Sequence, residues 1–384
     1  MGILCGTFTG LVPGIHPNTV IFTLFPLYLS FQVPLSVFGV FLASLSVVHT
    51  FLDFLPAIFV SAPDADAALT SVFSSETVKN GRGLEVYMKT VYGGALGVVF
   101  ALALGLLSFV FLKPLYAFLT GIMPFILLFF IFFLVLDSGG LSSLPLAFLC
   151  GVFGVVSLNS GVNQSFVFIP MFSGLFAVPA VWSVLSSGRG IPEQRYPEVS
   201  VSECLRGGLL GTASGFVTGV IPGVGGAVSA SFLAPLADLD RDGFATALGA
   251  VNTTDILFSL VSLHLLGASR SGPAVALEMA GTGPDLLVIF VASVLAAAVT
   301  APLTSLVARR YLCLLRSVPV EYLLSGVLVF LVGAVAIFTG FQGLLILVAG
   351  SALGYVSLIE GDRRVCMTVL LVPALISYSF PGAL

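Results

Sequence analysis

The sequence predicts an all-α polytopic membrane protein, and three observations lead to this prediction. Of the 384 residues, 58% are hydrophobic and 8% are charged, whereas soluble domains carry about 25% charged residues. Segments such as residues 91–112, 141–188 and 322–359 contain no Asp, Glu, Lys or Arg, and about 20 apolar residues in a helix cross a hydrocarbon core. These runs have helical length and lack strand-like alternation, which argues against a transmembrane barrel.

Composition and motifs exclude other classes of function. The net charge is −4, and the basic residues form no patch that would bind nucleic acid. The five cysteines are scattered and lack metal-ligand spacing, so they are interpreted as small apolar side chains. Because no metalloprotease, serine hydrolase or P-loop motif occurs, we expect no catalytic site, metal centre or organic cofactor. The first 24 residues lack a basic start and are expected to be mature membrane segment.

The chain is duplicated. The frame G-x-x-x-G-x-x-T-G-[LV]-[VI]-P-G occupies residues 2–14 and recurs at residues 211–223. A fixed internal repeat predicts that one structural unit occurs twice. We therefore divide the chain into a first membrane repeat at 1–188, a cytoplasmic linker at 189–204 and a second membrane repeat at 205–384.

The distribution of basic residues predicts how the halves are related. Basic residues accumulate in cytoplasmic loops. Suppose that each Pro-Gly segment is re-entrant and that about five transmembrane helices follow it. Twelve of the 14 basic residues then lie on the cytoplasmic side, and the exceptions are Lys113 and Arg270. An odd number of crossings makes the halves inverted repeats, a common plan of secondary transporters. The loops at 72–89 and 189–206 are then cytoplasmic, and the N-terminus is external.

The two Pro-Gly breaks are the first candidate binding elements. Proline removes an amide donor and glycine permits a sharp turn, so each apolar segment is interrupted there. Freed amides at a new helix start attract anions; the alternative is that the glycines only allow close helix packing. The candidate substrate-binding residues at the breaks are Pro13, Gly14, His16 and Asn18 in the first half and Pro222, Gly223 and Gly225 in the second.

The second segment of each half carries further polar residues. The candidate substrate contacts are Asn252, Thr253, Thr254, Ser269, Arg270 and Ser271. Arg270 suits a carboxylate because its planar fork binds one through two parallel hydrogen bonds; the alternative is a structural ion pair with Asp53 or Asp255. Ionisable residues within a membrane are costly and are functional by default. His49, Asp53 and Asp255 are therefore candidates for ion coupling, with Na⁺ and H⁺ both open.

The duplicated Pro-Gly frames, with Asn252-Thr253-Thr254 and the segment 267–272, resemble the large membrane subunit of tripartite tricarboxylate transporters, the TctA family, and especially its shorter archaeal branch. The resemblance implies a cell-membrane permease for citrate-like anions. It also implies a small membrane subunit and an extracytoplasmic binding protein as partners. The chain departs from the family pattern where the proline of the second-half motif is replaced and Arg270 is added.

Two functional hypotheses follow. The first is an ion-coupled permease for small organic anions, tri- or dicarboxylate-like, in which alternating access exposes a site between the two broken segments. The second keeps the fold and changes the substrate to a lipid-linked phosphate or another anionic lipid carrier, which would enter through a lateral opening to lipid. An enzyme is disfavoured by the missing catalytic motifs.

Overall fold

The computed structural model describes residues 1–12, 17–60, 67, 69–70, 74–163, 166–187, 192–195, 198–221, 224–281, 285–360, 364–380 and 382. In these ranges every regular element is helical. The helices of the first half are α1 (Gly2–Leu11), α2 (Pro17–Phe31), α3 (Leu35–Leu52), α4 (Phe54–Phe59), α5 (Ser74–Lys79), α6 (Gly83–Ser138), α7 (Leu144–Leu158), α8 (Phe168–Phe172) and α9 (Val178–Ser187). Those of the second half are α10 (Val201–Val220), α11 (Gly226–Leu236), α12 (Arg241–Leu266), α13 (Gly272–Met279), α14 (Leu286–Ser317), α15 (Val320–Glu360) and α16 (Thr368–Ser379).

Long apolar helices dominate the fold. The segments with the length and hydropathy to cross a membrane are Leu35–Phe59, Gly83–Ser138, Gly140–Leu158, Arg241–Leu266, Leu286–Ser317 and Leu324–Glu360. Two helices, α6 with 56 residues and α15 with 41, are each long enough for two crossings of a core about 30 Å thick. Proline lies inside α6 at 114 and 124, and Gly340 interrupts α15 with φ 62°. The predicted all-α polytopic membrane fold is confirmed.

Each half opens with a helix that is broken at the predicted place. In the first half α1 ends at Leu11 and α2 begins at Pro17; in the second, α10 ends at Val220 and α11 begins at Gly226. In the second half the two pieces form a hairpin. The Arg206 guanidinium donates a 2.6 Å hydrogen bond to the carbonyl of Ala237, and the hydroxyls of Thr218 and Ser229 lie 2.7 Å apart. The start of α10 and the end of α11 therefore lie together.

Small residues let the first and third helices of each half pack side by side. The contacts in chain order are Gly2 with Ser44, Gly10 with Leu52, Gly211 with Ala250 and Gly219 with Phe258. Because both partners advance together, α1 runs parallel to α3, and α10 runs parallel to α12. Gly10 and Gly219 hold the same position of the repeated frame, so their partners Leu52 and Phe258 are counterparts. Counting from them along α3 and α12 makes His49 the counterpart of Asp255, and Asp53 the counterpart of Ser259.

Counterpart helices of the two halves run antiparallel to each other. The end of α3 contacts the middle of α12 through Thr50 and Thr253, while Leu42 near its start lies in one apolar cluster with Leu260, further along α12. The same holds for α6 and α14. Their contacts are Leu84 beside Arg309 in one cavity, Gly105 against Phe290, and Leu112 in one cluster with Leu286.

Charged residues gather at one end of the bundle, where α6, α10 and α12 begin. Asp242 accepts hydrogen bonds from Arg82 (2.9 Å) and Lys89 (2.8 Å), and Lys89 also lies 3.7 Å from Glu203. The Glu85 carboxylate binds Arg82 through two hydrogen bonds. These ion pairs join the start of the first half's long helix to the second half.

Replacing Gly249 with alanine should lower thermal stability, because the added Cβ would collide with the carbonyl of Thr90, where α6 crosses α12. Overpacking of this kind costs about 1–3 kcal/mol. The matched control is Gly326→Ala in α15, where nothing lies within 4 Å of an added Cβ. Thermal unfolding of the purified variants in detergent measures the difference, and equal midpoints would contradict this crossing.

Candidate functional site

A buried polar contact joins the second segments of the two halves. The Asn252 amide donates a 2.8 Å hydrogen bond to Oδ2 of Asp53, and the hydroxyls of Thr50 and Thr253 lie 3.1 Å apart. All four side chains are at most 4% exposed. Residues that the sequence singled out in separate halves thus meet in one cluster, which we call the central polar cluster.

His49 connects this cluster to the first broken helix. Its Nδ1 lies 3.1 Å from the hydroxyl oxygen of Thr9, near the end of α1, and its Nε2 lies 3.7 Å from Oδ2 of Asp53. Because His49 and Asp53 are four residues apart, consecutive turns of one helix face place them together. Thr9 was not selected from the sequence as a site residue, although it is a fixed position of the duplicated frame.

Local geometry explains how α12 carries polar residues between apolar helices. The Thr253 and Thr254 hydroxyls donate to the carbonyls four residues earlier, at 3.1 and 2.7 Å, so neither leaves its hydroxyl hydrogen unpaired. Thr254 packs between Gly97 of α6 and Gly215 of α10. Of the predicted contacts, Thr254 therefore has a packing role in this structure. Asp255, the next residue, is half-buried.

Arg270 lies in the loop between α12 and α13. Its guanidinium donates a 2.7 Å hydrogen bond to the hydroxyl of Tyr116 and lies 5.7 Å from the centre of that ring, and it also interacts with Tyr378. Its backbone amide donates a 3.0 Å hydrogen bond to the hydroxyl of Ser259. In the described part of the chain its partners are thus aromatic hydroxyls, and the alternative ion pair with Asp53 or Asp255 does not occur there.

The Arg270 loop and the start of α13 contact the first broken segment directly and the second one through α12. Gly272 lies so close to the Asn18 side chain, just after the first break, that a Cβ at Gly272 would collide with it. On the other side, Ser259 borders Gly219, the penultimate residue of α10, whose carbonyl accepts a 2.6 Å hydrogen bond from Ser262. Arg270 is therefore separated from the end of α10 by one residue of α12, Ser259.

The remaining predicted residues are spread around this loop. The Ser269 hydroxyl donates a 2.5 Å hydrogen bond to Glu278, Ser271 is half-buried, and Gly225 lies against Leu370 of α16. Pro13, Gly14, His16, Pro222 and Gly223 lie outside the described residues. Sequence reasoning missed Tyr116 and Ser259, and for Ser259 one signal existed: it lies two helical turns after Asn252 on α12.

Comparison with known proteins identifies the family. The model of the tripartite tricarboxylate transporter TctA family matches residues 1–367. The chain belongs to this family. An uncharacterized protein of Methanocaldococcus jannaschii is 29% identical over 291 residues, which cover 73% of this chain and 71% of that protein. No solved structure matches the chain. The resemblance to the TctA family is thus confirmed, and the chain is a multi-pass membrane protein of a transporter family.

The hydrogen bond between Asp53 and Asn252 can be tested in this TctA protein by exchanging the two side chains. Asn252→Asp places two carboxylates together and should lower thermal stability, because a buried hydrogen bond is lost and like charges meet; losing such a bond costs about 1–3 kcal/mol. The double variant Asp53→Asn with Asn252→Asp restores one donor and one acceptor and should recover most of the loss. Unfolding midpoints in detergent measure both effects, and additive losses would contradict a direct contact.

Proposed function

We propose that the chain is the permease subunit of a secondary transporter for small organic anions of the tri- and dicarboxylate type. Membership of the TctA family supports this class of substrate. The observation that carries the proposal is the position of the Arg270 loop, which contacts Asn18 through Gly272 and borders Gly219 through Ser259. A cationic residue thus lies in a loop whose neighbours, Asn18 of α2 and Ser259 of α12, lie next to elements of both broken segments.

The groups around Arg270 suit a carboxylate. The Nε–H of Arg270 and the hydroxyl of Ser271 are buried without a hydrogen-bond partner among the described residues. Buried unpaired polar groups cost free energy, and a carboxylate would supply acceptors. In addition, α13 begins at Gly272, and its cap residue Ser271 makes no side-chain capping bond. Because Pro273 has no amide hydrogen, the amides that α13 could offer to an anion are those of Gly272 and Ala274.

We further propose that the halves are inverted repeats that move by alternating access. The antiparallel packing of α3 on α12 and of α6 on α14 supports inversion, because a two-fold axis in the membrane plane reverses counterpart helices. The charged end of the bundle, with Arg82, Lys89 and Arg206, is the cytoplasmic end by the preference of basic residues for that side. The N-terminus then lies outside.

Partners follow from the family. A tripartite transporter contains components besides the large permease, and we propose a small membrane subunit and an extracytoplasmic binding protein that delivers the anion. Co-purification from the native membrane tests for the small subunit.

Substrate exchange in proteoliposomes tests the proposed class. Vesicles that contain the purified protein and unlabelled citrate or succinate should take up the labelled anion by counterflow. A protein that exchanged neither anion but moved a polyprenyl phosphate between leaflets would contradict the proposal and support the lipid-carrier translocase.

Arg270→Ala should weaken counterflow of these anions by about tenfold or more, because a hydrogen bond to a charged group contributes about 1.5–3 kcal/mol. Arg270→Lys should retain part of the affinity, since lysine keeps the charge and loses the fork. The control is Lys113→Ala, which removes an equal charge from an exposed position three residues before Tyr116. Equal effects of the two alanine variants would show that Arg270 attracts the anion only through its net charge at long range and does not bind it directly.

A further inference from the structure

We infer that Tyr116 of α6 and Tyr378 of α16 belong to the same binding site as Arg270, and that their hydroxyl groups donate hydrogen bonds to an ionised carboxylate of the substrate. The inference rests on the proposed transport function and adds two residues that determine which anions the site accepts. It follows from the directions of the hydrogen bonds around the guanidinium.

The guanidinium of Arg270 orients the hydroxyl of Tyr116. Its Nη2 lies 2.7 Å from the hydroxyl oxygen. A guanidinium has five N–H donors and no acceptor. The hydroxyl oxygen therefore accepts, and the hydroxyl hydrogen of Tyr116 must point away from the guanidinium. Among the described residues no acceptor receives that hydrogen, so it is available to a bound ligand.

Tyr378 brings a second hydroxyl to the same place. Its phenol interacts with the guanidinium of Arg270 and with the phenol of Tyr116, so the three side chains lie together. Because Arg270 offers only donors, the Tyr378 hydroxyl too can keep its hydrogen for a ligand. The guanidinium carbon lies 5.7 Å from the centre of the Tyr116 ring, which is within the range of about 6 Å for a cation–π contact. That contact holds the cation between the hydroxyls.

The other polar groups at this place are donors as well. The Nε–H of Arg270 and the hydroxyl of Ser271 are buried without a partner among the described residues, and Gly272 and Ala274 add the amides at the start of α13. An ionised carboxylate only accepts hydrogen bonds, and its two oxygens receive about four of them. A carboxamide would instead turn an N–H donor toward some of these groups. The arrangement therefore favours a carboxylate over its neutral amide.

Packing keeps the two tyrosine-bearing helices beside the second break. Tyr116 packs against an apolar cluster that contains Val220, the last residue of α10. Gly225, immediately before α11, lies against Leu370 of α16. One of these helices thus packs at the end of α10 and the other at the start of α11. A carboxylate bound by both hydroxyls would lie beside the second broken segment.

Calorimetric titration of the purified protein with succinate tests the two hydroxyls. Tyr116→Phe and Tyr378→Phe keep the ring and remove only the hydroxyl. Each should weaken binding about tenfold or more, because a hydrogen bond to a charged group is lost. The matched control is Tyr322→Phe, which removes a hydroxyl from a side chain that is 75% exposed at the start of α15 and should bind succinate like wild type. Wild type should bind succinamide far more weakly than succinate.

Infrared difference spectroscopy separates direct contact from an effect through Arg270. The protein carries tyrosine labelled with ¹³C at the ring carbon that bears the hydroxyl. Succinate should shift a phenol C–O band of wild type, because the hydroxyls become donors to the carboxylate. The shift should be smaller in each single variant, absent in the double variant and unchanged in Tyr322→Phe. A shift that persists in the double variant, or no shift in a wild type that binds succinate, would overturn the inference.

The outcomes distinguish this inference from the proposed function. If both phenylalanine variants bind succinate like wild type, the tyrosines are not ligands, while counterflow by wild type still supports the permease. If wild type exchanges no carboxylate, the proposed function fails, and sulfate, which also only accepts hydrogen bonds, then tests the site. Sulfate binding that Tyr116→Phe weakens supports an anion site at these hydroxyls. Binding of neither sulfate nor succinate overturns it.

Discussion

The structure depends on one constraint: a polar group between apolar helices must find a partner inside the protein. Asn252 donates a hydrogen bond to Asp53 where α3 crosses α12. Beside them Thr50 and Thr253 are in contact, and each hydroxyl donates to a carbonyl of its own helix. The halves meet at this contact and at the crossing of α6 with α12, where Gly249 lies against Thr90. Because α1 packs along α3 and α10 packs along α12, the contact of α3 with α12 also places the two broken segments on either side of the same crossing. The helix that follows the Arg270 loop begins against Asn18 of α2.

The duplicated halves have kept their packing and separated their chemistry. Glycines at matching positions of α1 and α10 let these helices pack closely against α3 and α12. The residues that those neighbours offer differ, since Asp53 and His49 correspond to Ser259 and Asp255. In the first half His49 and Asp53 lie beside Asn252 of α12, and in the second half the backbone of Arg270 is bound by Ser259 of the same helix.

Much of this arrangement could be predicted from the sequence because its signals are local. Charge-free runs predicted the membrane helices, and the repeated Pro-Gly frame predicted where α1 and α10 end. Costly polar residues such as Asp53 and Asn252 stood out from their apolar surroundings. The partners of Arg270 did not stand out in this way. Tyr116 lies 154 positions from Arg270, and helix crossing angles decide which distant side chains meet. Ser259 resembles any serine in a helix until its neighbours are known.

Cross-linking measures the central contact most directly. With the native cysteines replaced, Thr50→Cys and Thr253→Cys in one chain should form a disulfide under mild oxidation in membranes, because the threonine oxygens are 3.1 Å apart. Formation should be fast, and the matched pair Thr50→Cys with Thr246→Cys, two turns earlier on α12, should not react. Efficient bonding of the control pair alone, or of neither pair, would contradict the meeting of the two halves at Thr50 and Thr253.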